Sequence, residues 1–377
     1  MSQIHILEIT NEVDKMRFIK FPWEIYRGNP NWVPPLIYDV RKNLDFLKNP
    51  FYTHAKIKLF LALEGKTIVG RIAAIINANH NNKYNDKVGF VGYYDCINST
   101  EVSGMLFDAA KNWLKEQGMD TMRGPINLSI NDEVGLLINA FDKDPILLTT
   151  YNPEYYIKLF EDYGFEKAKD LYAYYMDHDL CKENQKAMDK LNRVAEIVLK
   201  KENIKIRKIV LKNLESELIK VMDVYNKAWL DNWGSVQMTE SEFKYVAASL
   251  KPLIDEDIVY FAEVDGKPVG FSLSIPDFNQ IFKKLNGKLL PFGIFKILTG
   301  KKKIDAIRVV IMGIIPEYQR KGIEAVFIRD TINTGMIKGY RYADISWVLE
   351  DNAPMVQTAV NLGAIQYKTF RIYDKRI

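Results

Sequence analysis

Short β-branched and aromatic runs alternate along the chain with longer segments whose apolar residues recur every three or four positions, a pattern that predicts strands and helices in a repeated order. In the C-terminal half, apolar runs at 257–264 and 267–273 flank Asp265-Gly266, the turn chemistry of a β-hairpin. The run at 309–315 is too short for a stable helix and is stopped by Pro316, after which Ala325, Val326, Phe327 and Ile328 begin an apolar helical segment. A further strand is predicted at 342–349. It is followed by a helix at 353–362, with Asn352 as N-cap, Pro354 in the first turn and Gly363 as C-terminal cap, and by a last strand near 367–373.

The N-terminal half repeats this order. Runs at 57–63 and 68–76 around Glu64-Gly65-Lys66 predict a hairpin, and 89–96 stands where the central strand belongs. The next helix carries Val102, Leu106, Ala110, Trp113 and Leu114 on one face, starts at the capping sequence Asn98-Ser99-Thr100-Glu101 and ends at Gly118. Between the halves, Met188, Leu191, Val194, Ala195 and Val198 form one apolar stripe, which predicts a helical connector. The resulting division is an N-terminal domain at 1–180, a connector at 181–203 and a C-terminal domain at 204–377. Each domain is α/β in the α+β sense, a central mixed sheet flanked by helices.

At 377 residues the chain exceeds what one hydrophobic core usually organises, which agrees with two domains. Hydrophobic residues make up 47% and charged residues 27%, ample material for packed cores. A formal net charge of +4 is too small for a nucleic-acid footprint spread over the surface, so no nucleic-acid partner is expected. Two cysteines, Cys96 and Cys181, with four histidines and no signal-peptide pattern, predict a cytoplasmic protein without a disulfide framework or a metal site. No apolar run reaches membrane-spanning length.

The strongest chemical signal lies between the 309–315 strand and its following helix, at Gln319-Arg320-Lys321-Gly322-Ile323-Glu324-Ala325. Orphan N–H groups at a helix start, the positive end of its dipole and two cations suit a pyrophosphate, and a glycine lets such a ligand approach the backbone. The N-terminal half has a capping sequence at this point and no basic loop.

This order of elements, with its basic glycine loop, resembles the GCN5-related N-acetyltransferase (GNAT) superfamily of acyl-CoA transferases over residues 204–377. The resemblance implies acetyl-CoA or a longer acyl-CoA as co-substrate, an amine as acceptor, and no metal. It assigns the backbone of Met312, Gly313 and Ile314 to pantetheine, Gln319, Arg320, Lys321, Gly322, Ile323, Glu324 and Ala325 to pyrophosphate, and Asn352 to the pantetheine arm. Glu324 departs from the superfamily's motif, which usually has a small residue there. The position of the general-acid tyrosine falls at Ala359, leaving Tyr318, Tyr367 or Tyr373 as substitute acids and Glu350 or Asp351 as substitute bases. Residues 152–165, with Tyr155 and Tyr156, resemble the superfamily's last helix, so the whole chain resembles a tandem GNAT protein whose first copy lacks the pyrophosphate loop. Residues 29–36, 124–133 and 346–352 carry a further likeness to a group of bacterial tandem proteins of this superfamily.

Two readings of the polar run 127–133 stay open: a self-satisfying loop that braces the two lobes, or a half-buried strand from which Asn127, Asn131 or Asp132 bonds an acceptor. Trp229 and Trp233, with Tyr225 and Asn232, are either core or the lining of an acceptor pocket. The segment 278–303 combines apolar residues, Phe292 and Phe295 among them, with lysines. Its readings are a lid over an acyl chain, peripheral contact with the inner face of a membrane, or packing against the domain junction. The expected function is a CoA-dependent N-acyltransferase with a lipid-related substrate and its acceptor site near the junction of the lobes. The alternative, suggested by Glu324 and Ala359, is a non-catalytic CoA- or lipid-binding protein with a scaffolding or regulatory role.

Overall fold

The β-branched runs become strands where the sequence places them. The computed structural model describes residues 3–201, 203–291 and 293–377. The chain divides into two units, one of Met1–Leu171, Ile281–Leu298 and Lys368–Ile377, the other of Tyr172–Gln280 and Thr299–Tyr367. Each has a mixed sheet flanked by helices, as the expected fold class requires. The partition is not a single cut in the chain: the 181–203 stretch lies within the second unit, and two pieces of 204–377 belong to the first.

The first unit begins with β1 (Ile4–Glu8), α1 (Glu12–Lys20), α2 (Pro22–Ile25), α3 (Ile37–Asn43) and the hairpin β2 (Ala55–Glu64) and β3 (Thr67–Asn77). It continues through α4 (Ala78–Tyr84), β4 (Val88–Cys96), α5 (Thr100–Glu116), β5 (Thr121–Gly124), β6 (Leu136–Leu137), α6 (Tyr155–Asp162) and the start of β7 (Glu166–Asp177). Strands β1 to β4 pair antiparallel in order, and β4 pairs parallel with β5. Ser99 caps α5 as expected, accepting the Val102 N–H at 3.3 Å. The apolar face of α5, with Leu106, Phe107, Ala110 and Leu114, packs with Tyr156 and Phe160 of α6 against Ile72, Val91 and Tyr94 of the sheet.

The second unit holds α7 (His178–Glu183), α8 (Gln185–Leu199), β8 (Ile204–Lys208), α9 (Leu214–Ala228), α10 (Glu240–Leu250), β9 (Val259–Val264) and β10 (Lys267–Pro276). After α11 (Asn279–Phe282) and α12 (Gly293–Gly300) it resumes with β11 (Ala306–Ile314), α13 (Ile323–Lys338), β12 (Tyr342–Leu349), α14 (Ala353–Asn361) and the start of β13 (Ile365–Arg376). Strands β8 to β11 pair antiparallel, and β11 pairs parallel with β12. The α8 stripe is no linker. Ala195 and Val198 pack with Ile323, Val326 and Phe327 of α13, because an amphipathic helix must bury its apolar face. Asn352 caps α14 through the Met355 N–H at 3.3 Å, and Gly363 follows it with φ at +83°.

The polar run 127–133 takes the loop form. It forms bends and turns with one bridge, Ile126 to Val134, rather than a half-buried strand. Its short polar side chains compete for backbone groups: Asp132 Oδ2 accepts from the Ser129 N–H at 3.1 Å and hydroxyl at 2.7 Å, and Ser129 Oγ accepts from the Asn131 N–H at 3.1 Å.

Candidate functional site

The two central strands are built alike. In the second unit Leu273 and Ser274 of β10 face Ile311 and Val309 of β11, so Val310 is an extra residue in a β-bulge. The parallel pairing of β11 with β12 runs from Ala306–Tyr342 to Val309–Ile345 and stops at that bulge, although β11 continues to Ile314 and β12 to Leu349. The strands part there. Val309, Val310, Ile311 and Met312 are consequently half-buried in the middle of a sheet.

The first unit has the same device. Tyr93 and Tyr94 of β4 stand opposite Ile72 of β3, and the β4–β5 pairing ends at Phe90–Arg123. Here, however, the gap is filled by the chain that leaves β5. The Ile126 N–H donates to the Val91 carbonyl at 2.8 Å, Asn127 Oδ1 accepts the Tyr93 N–H at 2.7 Å, and Ile126 lies against Gly92, leaving no space for a Cβ there. All nine residues of β4 are buried. Asn127 therefore braces the filled gap, its Nδ2 donating to Glu133 Oε2 at 3.1 Å.

The predicted phosphate turn lies at the end of β11. Gln319 donates from Nε2 to the Ile314 carbonyl at 3.0 Å, and the Lys321 ammonium sits 4.3 Å from the Tyr318 ring centroid, a cation–π contact. Arg320 and Gly322 have φ of +58° and +87°, and α13 starts directly after Gly322. Among the described residues no acceptor engages the backbone N–H groups of residues 320–324. Gly322 has a second reason to be glycine: a Cβ would lie 2.9 Å from Val198 Cγ2 and 3.0 Å from Val194 Cγ1. Helix α8 thus makes a close approach to Gly322 of the kind expected for a ligand. Glu324, in the first turn of α13, has its Oε2 buried without a hydrogen-bond partner.

The remaining predicted residues are distributed over both units. Gly313 is covered by the Trp229 ring, which stacks on Tyr225 at 5.0 Å, so Trp229 packs on the strand assigned to pantetheine. Trp233 is half-buried in the turn after α9. Glu350 follows β12 directly, half-buried, and Asn352 uses its side-chain oxygen as a helix cap. Asn127, Asn131 and Asp132 belong to the first unit, Trp229 and Trp233 to the second. Ala359 is buried in the packing of α14 with Met188 and Val348. Among the described residues no cluster of His, Cys, Asp and Glu is arranged to hold a metal ion.

Tyr367 belongs to a buried network that residue types along the chain do not reveal. Arg308 and Asp344 are register partners on β11 and β12, 2% and 1% exposed. Arg308 donates from Nε to Ser346 Oγ at 3.1 Å and from Nη2 to the Ser346 carbonyl at 3.2 Å. The Ser346 hydroxyl donates to Asp344 Oδ1, and the Tyr367 hydroxyl donates to Asp344 Oδ2 at 2.6 Å. Burial, then the Asp344 carboxylate, hold the Tyr367 phenol far above its ordinary value, so it keeps its proton and is a reluctant acid. The available signal was a charge inside each of two apolar strands. Their opposition is a matter of register, which the sequence does not display.

No family model matches the chain. A protein of Caulobacter vibrioides described as bacterial ceramide synthase is 33% identical over 386 residues, covering 100% of this chain and 98% of the relative. Protein YghO of Escherichia coli is 34% identical over 379 residues, covering 97% and 94%. Among solved structures, a tandem GNAT protein from the clavulanic acid biosynthesis pathway superposes with a TM-score of 0.58 at 10% identity, covering 99% of this chain and 98% of that one. The fold is that of a tandem GNAT protein, as the resemblance implied. The chain belongs to the family of the Caulobacter and Escherichia coli proteins, which it matches over nearly their whole lengths.

Proposed function

We propose that this protein is a CoA-dependent N-acyltransferase whose second unit binds acyl-CoA and whose acceptor is the amine of a lipid-related molecule. The observation that carries this reading is the parting of β11 from β12 at the Val310 bulge, which leaves strand backbone available to the amides of an extended pantetheine. The first unit's equivalent gap is filled, which supports a single CoA site per chain. Free N–H groups at 320–324, with Arg320 and Lys321, suit the pyrophosphate. The relative described as a ceramide synthase supports a long-chain amine as acceptor and a long acyl chain as the transferred group.

In the reaction the amine nitrogen attacks the thioester carbonyl carbon, a C–N bond forms, the C–S bond breaks and CoA departs as a thiolate. The amine proton needs a base, and Glu350 at the end of β12 is the proposed one. Tyr318, beside Lys321, is the proposed acid in preference to Tyr367, whose hydroxyl is committed to Asp344. A thiolate leaves readily, so Ala359 at the usual acid position does not preclude transfer.

Thermal unfolding with free CoA, acetyl-CoA and palmitoyl-CoA tests the reading. Ligand at a hundred times its dissociation constant adds about 2.7 kcal/mol, and palmitoyl-CoA is expected to act at the lowest concentration. An unchanged melting temperature with every CoA species sinks the proposal, whereas a shift without turnover on any long-chain amine favours the non-catalytic alternative. Glu324→Gln is expected to tighten CoA binding by about tenfold, or 1.4 kcal/mol, because it removes a negative charge from the anion end of α13. Weaker binding in a titration of that variant would mean that the carboxylate orders the loop.

A further inference from the structure

The segment that joins β10 to β11 divides in two by burial. Phe278, Ile281, Phe282 and Leu285 are buried, and the Trp23 indole N–H donates to Asn286 Oδ1 at 2.8 Å within the first unit. Then the pattern reverses. Leu290, Ile294, Phe295 and Leu298 are 72%, 52%, 68% and 70% exposed. Ile294, Phe295 and Leu298 are spaced i, i+1, i+4 on α12 and so share one face. Phe292, between them in sequence, lies outside the described residues. Water-facing apolar side chains grouped on one helix mark an interaction surface rather than scattered surface residues.

Charge identifies the partner. Residues 278–303 contain Lys283, Lys284, Lys288, Lys296, Lys301, Lys302 and Lys303 and no acidic residue. Lys283 pairs with Asp144 at 2.5 Å and the exposed Lys296 donates its ammonium to the Lys284 carbonyl at 3.3 Å, while the side chains of Lys284, Lys288 and the Lys301–Lys303 turn that continues α12 are exposed. We infer that α12 docks this protein on an anionic bilayer, Ile294, Phe295, Leu298 and Leu290 entering the boundary between headgroups and acyl chains while the lysines meet lipid phosphates. No helix of the described residues is long and apolar enough to cross a membrane, so the contact is one of lying on the surface. A surface-bound enzyme would meet a lipid substrate in its own layer, but the inference does not depend on acyl transfer.

The test is co-sedimentation of the full chain with vesicles of phosphatidylglycerol and phosphatidylcholine in equal parts, with pure phosphatidylcholine vesicles alongside. The protein is expected to pellet with the anionic vesicles, less so as salt rises, and to stay largely in solution with the neutral ones. Each lysine near an acidic surface contributes roughly fivefold to partitioning, so Lys301→Glu, Lys302→Glu and Lys303→Glu combined should lower binding by about a hundredfold or more. Phe295→Ser with Leu298→Ser should lower it as well. Both sets lie on exposed positions and are expected to leave the melting temperature unchanged, which separates lost docking from lost folding. Absence of pelleting with anionic vesicles overturns the inference, as does pelleting that neither variant affects. Sedimentation velocity without lipid adds a further arm: a dimer that Phe295→Ser with Leu298→Ser converts to monomer would assign the face to a second copy of the chain and overturn membrane docking.

Discussion

Asp95→Ala is expected to destabilise the first unit by about 3–5 kcal/mol, because it leaves a guanidinium buried without its counter-charge. Asp95 accepts from Arg71 Nε and Nη2, each at 2.7 Å, and from the hydroxyls of Tyr26 at 3.1 Å and Tyr156 at 3.2 Å. Without it Arg71, 8% exposed, keeps the Phe18 carbonyl at 2.8 Å and the face of the Phe18 ring at 4.9 Å. Two tyrosine hydroxyls lose an acceptor at the same time. The network fixes β3 against the bulged half of β4, so amide exchange in those strands reads the loss in this unit specifically, where a whole-chain melting curve would mix two units. Replacing Arg71 and Asp95 together by leucine should recover most of the stability, since a buried pair is often no better than apolar side chains of similar size. Equal damage from the single and double replacements would show that packing volume, not charge, is what the pair supplies.

Gly322→Val is expected to destabilise the second unit by about 3 kcal/mol and to abolish the melting shift given by CoA. Two costs add. A β-branched residue at φ of +87° is strained by about 1–3 kcal/mol, and its side chain would enter the space held by Val194 and Val198 of α8. Relieving that overlap tips α8 or turns the 320–324 N–H groups away from a common point. Val198→Ala makes room, so Gly322→Ala combined with Val198→Ala should be more stable than the sum of the single changes predicts, by about 1 kcal/mol. Strict additivity in that cycle would mean that backbone conformation alone requires the glycine. Recovery of stability without recovery of CoA binding would mean that the glycine also admits the ligand.

Much of the local structure is legible because it depends on neighbours in sequence. Ser99 and Asn352 cap helices, Asp265-Gly266 turns a hairpin, and Gly363 follows a helix end, each through contacts within a few residues. The candidate site was legible only in part. The basic turn at 319–325 can be read from residue types. The parting of β11 from β12, which would make that turn part of a groove, comes from one extra residue opposite β10 and has no signature of its own in Val309-Val310-Ile311. The buried opposition of Arg308 and Asp344 depends on register in the same way.

The sequence by itself determined the two-fold repetition of elements, the fold class, and which of the two halves carries a basic turn, because periodicity, capping and turn chemistry act over a few residues. Tertiary structure decided which matching features differ. Both central strands bulge, yet Ile126 and Asn127 fill one gap while Val309 to Met312 stay half-buried at the other. Ile281 and Phe282 are buried whereas Ile294 and Phe295, equally apolar in sequence, face water. Apolar character states that a residue gains by leaving water, but whether it does so depends on surfaces brought to it from far along the chain.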